Sequence, residues 1–179
     1  MGVCLLLVGA HTLHASPVKA DDSAQVVISK EELRENVALT YSAQIGVMET
    51  SANWSVEIKE YLKVTGINFS APWCAALVSY CYTVNGVDNP RSAWSPDYFP
   101  KTKLINIQTT IPKRADVFGV YYHNLGRIAH VGFIDQWPRD GDYFISVEGN
   151  TNDNGSREGN GVYKKRRLKR GAYRVSRWI

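Results

Sequence analysis

Four residues in this sequence have the side chains that acyl-transfer chemistry needs: a cysteine, a histidine, a glutamate and an asparagine. Cys74 lies in "SAPWCAALVSYC", where Ser70 can cap a helix, Pro72 suits its first turn, and the thiol falls within that turn. Unsatisfied N–H groups and the helix dipole there favour a thiolate. By position alone, Cys74 fits a nucleophile and a core filler equally well, whereas Cys81, deeper in the same helix, fits the filler. The two cysteines stand about 10.5 Å apart along a helix rising 1.5 Å per residue. A disulfide needs Cα atoms within roughly 7 Å, so both remain thiols while the helix is intact.

A cysteine nucleophile needs a histidine to take its proton and a third polar group to hold the imidazole. Of the four histidines, His11 and His14 lie near the N-terminus and His123 ends a strand beside a turn. His130 sits inside "RIAHVGFID", a strand in which an unpartnered imidazole would be awkward; alone, it reads as a satisfied core histidine. The following strand changes that reading. In "SVEGNT", Glu148 and Asn150 leave the same strand face. A four-residue hairpin loop "PRDG" puts residue 130 opposite residue 149. A register shift of one, from a bulge or a different loop, brings Glu148 or Asn150 opposite His130 instead. A partner on Nδ1–H would then fix the tautomer that leaves Nε2 for Cys74. The bland alternative for both residues is a solvated strand end.

The elements that must position these residues divide the chain in two. The first half reads as helices. "SKEEL" offers Ser29 and Glu32 as a capping box, followed by Leu33, Val37, Tyr41 and Ile45 at helical spacing until Gly46. "SVEIKEYLKVTG" is a shorter amphipathic segment, and a third helix is expected from Ser70 to Asn85 with Trp73, Leu77, Tyr80 and Val84 on its buried face. After a Pro- and Asn-rich connector come five strand-like runs: "DVFGVYYH", "RIAHVGFIDQW", "DYFISVEGN", "GVYKKRR" and "AYRVSRW". Helices followed by consecutive strands imply an α+β domain, with N-terminal helices packed on a C-terminal antiparallel β-sheet.

At 179 residues the chain fits one domain with a proper core. Its apolar run "VCLLLVGA" reads as a signal peptide over residues 1–20, cleaved after Ala15 or Ala20, although a basic n-region is missing; a buried strand is the competing reading. Cys4 does not read as a lipoprotein acceptor, because the apolar run follows it. The folded domain then spans 29–179, and the leader implies a secreted or periplasmic protein. The net charge is +4, with six basic residues gathered in "KKRRLKR" (Lys164 to Arg170). That run suggests an anionic partner, or simply a solvated strand. Nucleic acid is not expected, since no groove-reading motif accompanies the run. No metal or cofactor is expected either: the cysteines lack CxxC spacing, His123 and His130 fall on opposite strand faces, and no phosphate loop is present. No apolar run is long enough for stable membrane insertion.

Taken in order, "APWCAALVSYC", "IAHVGFI" and "VEGNT" resemble the CHAP family of cysteine amidohydrolases and peptidases, within the papain-like NlpC superfamily. The resemblance runs from about Glu32 to the C-terminus and includes "YLKVTG" before the cysteine and "DVFGV" before the histidine. It implies a papain-like fold and a monomeric, cofactor-free hydrolase that cleaves amide bonds in peptidoglycan or its peptide fragments, as amidase or endopeptidase. The nucleophile maps to Cys74, the general base to His130, and the acidic and amide partners to Glu148 and Asn150. One departure stands out. Many relatives carry Gly-Asp before the strand, where this chain has Arg114-Ala115-Asp116, a change expected to alter the cleft wall. Two rival readings accompany this one. One is a non-catalytic wall-binding module using the basic strand with Trp94, Trp137 and Trp178; the other is an antibacterial effector with the same cysteine chemistry.

Overall fold

The computed structural model describes residue 1, residues 28–152 and residues 159–179. The expected leader (beyond Met1), with Cys4, His11 and His14, and the middle of the 150–161 loop lie outside the described residues.

Hydroxyl caps start the first two helices. Ser29 Oγ accepts the Glu32 N–H at 3.1 Å to begin α1 (Lys30–Ser42), and Ser55 Oγ accepts the Ile58 N–H at 3.2 Å to begin α2 (Val56–Lys63). Ile45 falls outside α1, because the helix ends at Ala43 before Gly46 turns the chain at φ +92°. The third helix, α3 (Cys74–Val84), differs more from expectation. Ser70 donates its hydroxyl to the Ala52 carbonyl instead of capping, and Trp73 becomes the N-cap residue with no side-chain cap bond. Nor does α3 bury a single face. Cys74 through Ser79, Cys81 and Tyr82 are all buried while Val84 is exposed, because the helix runs between the sheet and the other two helices.

The second half forms one six-stranded sheet in the order β1-β6-β2-β3-β4-β5, antiparallel throughout. Its strands are β1 (Leu104–Ile105), β2 (Val117–Tyr122), β3 (Arg127–Gln136), β4 (Tyr143–Thr151), β5 (Gly161–Leu168) and β6 (Arg174–Ser176). Five correspond to the strand-like runs. β1 is too short to leave a period-two signature. Val117, Val131, Phe133 and Val147 join the helices in the main core, and Phe118, Ile134, Phe144 and Val175 form a smaller one. The domain is α+β.

Two details of the sheet bear on the site. The β3–β4 loop covers residues 137–142 rather than four residues, and the register changes from Phe133↔Val147 to Gln136↔Ile145 across a bulge at Asp135. The bulged Asp135 is held by the Tyr41 hydroxyl (2.9 Å), Arg114 Nε (3.1 Å) and Lys164 Nζ (2.7 Å). The Arg114-Ala115-Asp116 departure belongs to the core and not to the cleft. Ala115 is 1 % exposed at φ +64°, and Asp116 is a buried hub for Arg34 (2.9 Å) and Arg177 (2.7 Å). Ala115 therefore stands in the left-handed region that glycine enters without steric cost.

The basic run is largely engaged within the molecule. Lys164 pairs with Asp135, the Arg166 guanidinium lies 3.4 Å from the Tyr143 ring centroid, Arg167 binds Glu148, and Lys169 donates to the Pro138 carbonyl at 2.7 Å. Of the three tryptophans that a wall-binding module would use, Trp94 is exposed, while Trp137 packs on Phe144 and Trp178 on Tyr98. Among the described residues, no helix is long and apolar enough to cross a membrane, and no cluster of three His, Cys, Asp or Glu is set to hold a metal.

Candidate active site

Cys74 is the first residue of α3, so its thiol lies among the first-turn N–H groups that no intrahelical carbonyl satisfies. The missing side-chain cap leaves those donors and the dipole to the thiol. Two glycines let the sheet meet this helix end. A Cβ on Gly149 would lie 2.5 Å from the Trp73 ring and 2.8 Å from Leu77 Cδ2, so the bare backbone of β4 admits the start of α3. A Cβ on Gly132 would lie 2.6 Å from Glu148 Cγ, so its absence leaves the path along which the glutamate reaches His130.

The β3–β4 ladder stops at Phe133↔Val147, although β3 begins at Arg127 and β4 continues to Thr151. Beyond that last pair, His130 and Glu148 project from the two strands and meet, Nε2 to Oε2, at 2.7 Å. They are not directly opposite. Glu148 crosses diagonally over Gly132, a reach that long side chains manage across a pair of strands. The bulge at Asp135 supplies the register shift that the hairpin loop alone does not.

The imidazole is oriented opposite to expectation. Nε2 goes to Glu148, leaving Nδ1 for the thiol. Nδ1 is buried with no partner of ordinary hydrogen-bond geometry, and Cys74 is near enough for thiol and imidazole to perturb each other. The reversal follows from the diagonal approach, which brings the carboxylate to the far ring nitrogen.

The electrostatics favour a charged pair. Burial raises the Cys74 thiol, but the hydrogen bond and charge of His130, the Ser95 hydroxyl and the Val131 N–H outweigh it and leave the thiol below its ordinary value. Burial opposes the imidazolium as well, yet Cys74 and Glu148 push His130 up to about 9. For Glu148, burial is overcome by Arg167 and His130, which hold the carboxylate well below its usual range. Arg167 grips it with two nitrogens (Nε to Oε1 at 2.7 Å, and Nη2 to Oε2), and the Ser146 hydroxyl adds a third donor. Cys81 has no such company, and burial alone raises it. Both cysteines are free thiols.

Cys74, His130 and Glu148 thus come together, and Asn150 stands apart from the imidazole. Its backbone is left-handed at φ +53°. With the amide oriented to suit its neighbours, Nδ2 donates to the Gly159 carbonyl (2.8 Å) and Oδ1 accepts the Trp73 N–H (3.2 Å). It steadies the turn that delivers Cys74.

Three contributors were not read from the sequence. Ser95, whose Oγ is 3.5 Å from Cys74 Sγ, comes from the connector and carries no motif. Arg167 was absorbed into the basic run, although strand alternation separates half-buried 163, 165 and 167 from exposed 164 and 166. A buried glutamate needs a cation, and that alternation was the available clue. The third is Gly132, whose role depends on its diagonal neighbour.

No protein-family model, curated protein or solved structure matches this chain.

Proposed function

We propose that this chain is a cysteine hydrolase of papain-like fold that cleaves amide bonds in bacterial peptidoglycan or its peptide fragments. The observation carrying the reading is the Cys74–His130–Glu148 line at the start of α3, in which thiol and imidazole perturb each other toward thiolate and imidazolium. The peptidoglycan substrate and the secreted, wall-associated setting rest on the sequence resemblance and the apolar N-terminal run.

Each step balances with these groups alone. The Cys74 thiolate attacks the amide carbonyl carbon, forming the C–S bond, while the carbonyl oxygen takes up charge beside the first-turn N–H groups of α3, Cys74 N–H among them. His130 Nδ1–H protonates the amine nitrogen as the C–N bond breaks. The neutral imidazole then takes a proton from water, whose oxygen attacks the thioester, and the C–S bond breaks to release the acid and restore the pair. Glu148 stays ionised throughout, holding Nε2–H and stabilising the imidazolium.

Mass spectrometry of peptidoglycan incubated with wild-type and Cys74→Ala proteins tests the reading. Soluble fragments from the wild type alone are expected, and their masses name the bond. Equal release by both proteins, or none from any wall type, refutes it.

A further inference from the structure

Cys74 opens into a cleft of about 400 Å³, whose walls come from the 65–72 segment, the 91–95 segment and the start of β3. Its charge is one-sided. Arg91 and Arg127 are the charged residues of the lining, and it contains no aspartate or glutamate. Among the described residues, neither guanidinium has a carboxylate within ion-pair distance, in contrast to Arg34, Arg114, Arg167 and Arg177, which all do.

The Arg127 side chain and the Arg91 backbone are held in place. The Arg127 guanidinium lies 3.9 Å from the Trp94 ring centroid and donates to the Ile128 carbonyl at 3.1 Å. Stacking of this kind fixes the plane of the fork and leaves its outer N–H groups available. Arg91 has a left-handed backbone at φ +47°, with its N–H bound to Asn89 Oδ1 at 2.9 Å. The segment after it is tied down in turn: Ser79 Oγ donates to the Ser92 carbonyl at 2.9 Å, and Ser92 Oγ accepts the Trp94 N–H at 3.0 Å. A cation with no partner, set on a braced loop beside a nucleophile, is a place for an anion.

We propose that the Arg91–Arg127–Trp94 wall binds a free carboxylate of the substrate, so that the enzyme selects amides carrying such a carboxylate near the bond that Cys74 attacks. This specificity rests on the hydrolase reading above. A planar carboxylate matches the guanidinium fork, and the Trp94 face offers apolar cover to the substrate chain alongside it. Terminal and side-chain carboxylates share this chemistry.

The test needs no natural substrate. Iodoacetate and iodoacetamide both alkylate a thiolate, the C–S bond forming as iodide leaves, and they differ in one charge at about equal size. Their rate ratio is measured at Cys74 by peptide mass mapping on the full chain, with glutathione as reference. At low salt the acid is expected to be favoured over the glutathione ratio by roughly tenfold, falling as salt screens the field. Arg127→Gln and Arg91→Gln each lower the preference severalfold, the double variant reduces it to the part that the His130 imidazolium supplies, and Arg127→Lys keeps more of it than Arg127→Gln. Peptides with a free carboxylate, terminal or side-chain, protect Cys74 from iodoacetamide better than their carboxamides, and whichever protects best names the source. A glutathione-like ratio in the wild type, a preference undiminished by loss of both arginines, or equal protection by acid and amide overturns the proposal while leaving Cys74 a nucleophile. Failure of both reagents at neutral pH refutes the nucleophile itself, and this proposal with it.

Discussion

Replacing Gly132 by alanine probes the support of His130 without touching any group that does chemistry. The added Cβ would stand 2.6 Å from Glu148 Cγ, 3.0 Å from Phe118 Cε1 and 3.0 Å from the Val147 carbonyl oxygen. Carbon pairs are most favourable near 3.5–4.0 Å, so the closest contact must open by about 1 Å. Glu148 is not free to swing away, being held by His130, Arg167 and Ser146. Overpacking of this kind costs about 1–3 kcal/mol. If Glu148 yields, His130 also loses one of the interactions that push it up to about 9, and its pKa falls. Two measurements follow: urea unfolding for stability, and the pH dependence of iodoacetamide alkylation at Cys74. The variant is expected to be less stable, with its reactivity plateau beginning at higher pH as the thiolate loses its imidazolium. Wild-type stability together with a wild-type pH profile would refute the diagonal approach of Glu148 over Gly132.

Further outcomes follow from the same geometry. Arg167→Gln leaves Glu148 buried beside an incomplete set of donors. Removing one partner of a buried pair costs roughly 3–5 kcal/mol, and the loss read from urea midpoints should fall toward the lower end because Arg167 keeps some exposure; Arg167→Lys, unable to bind with two nitrogens, recovers part of it. The pH dependence of stability separates the charged pair from two neutral groups. In the wild type the lowered thiol and the raised imidazole act in opposite directions on proton uptake, so urea midpoints change little between about pH 7 and 8.5. In Cys74→Ala the histidine keeps Glu148 but loses the thiol that helped to raise it, so its folded value lies below that of the wild type. Its stabilisation is complete below the unfolded value of about 6.5 and is lost as pH rises through the folded value, so midpoints decline there. A wild type whose midpoints fall over this range as steeply as a lone raised histidine requires, with no compensation from the lowered thiol, would disprove the pair. Ala115→Gly relieves a left-handed alanine, a strain of about 1–2 kcal/mol, against an added chain entropy of about 0.5–1 kcal/mol. A small net gain in midpoint is expected, and a clear loss would refute the strain.

What could be read from the sequence by itself was local. Serine caps, 3.6-residue spacing and alternating β-branched runs depend on neighbours in the chain, so two helices, the core of a third and five strands were legible before any fold was known. The Cys74, His130 and Glu148 assignments drew on residue type, order and same-face spacing together with the family resemblance, and the three side chains do meet. The tertiary structure decided how they meet. It placed Cys74 as the first residue of α3, because Ser70 turned to the Ala52 carbonyl; it put Nε2 rather than Nδ1 on the carboxylate, because Glu148 arrives diagonally over Gly132; and it gave Asn150 to Trp73. Arg167 and Ser95, 72 residues apart in sequence, became neighbours of the same short line only through the sheet and the connector. Such contacts turn on a bulge, a missing Cβ and a ladder that ends early. None of these leaves a periodic trace in the chain, because each is set by the fit between elements distant in sequence.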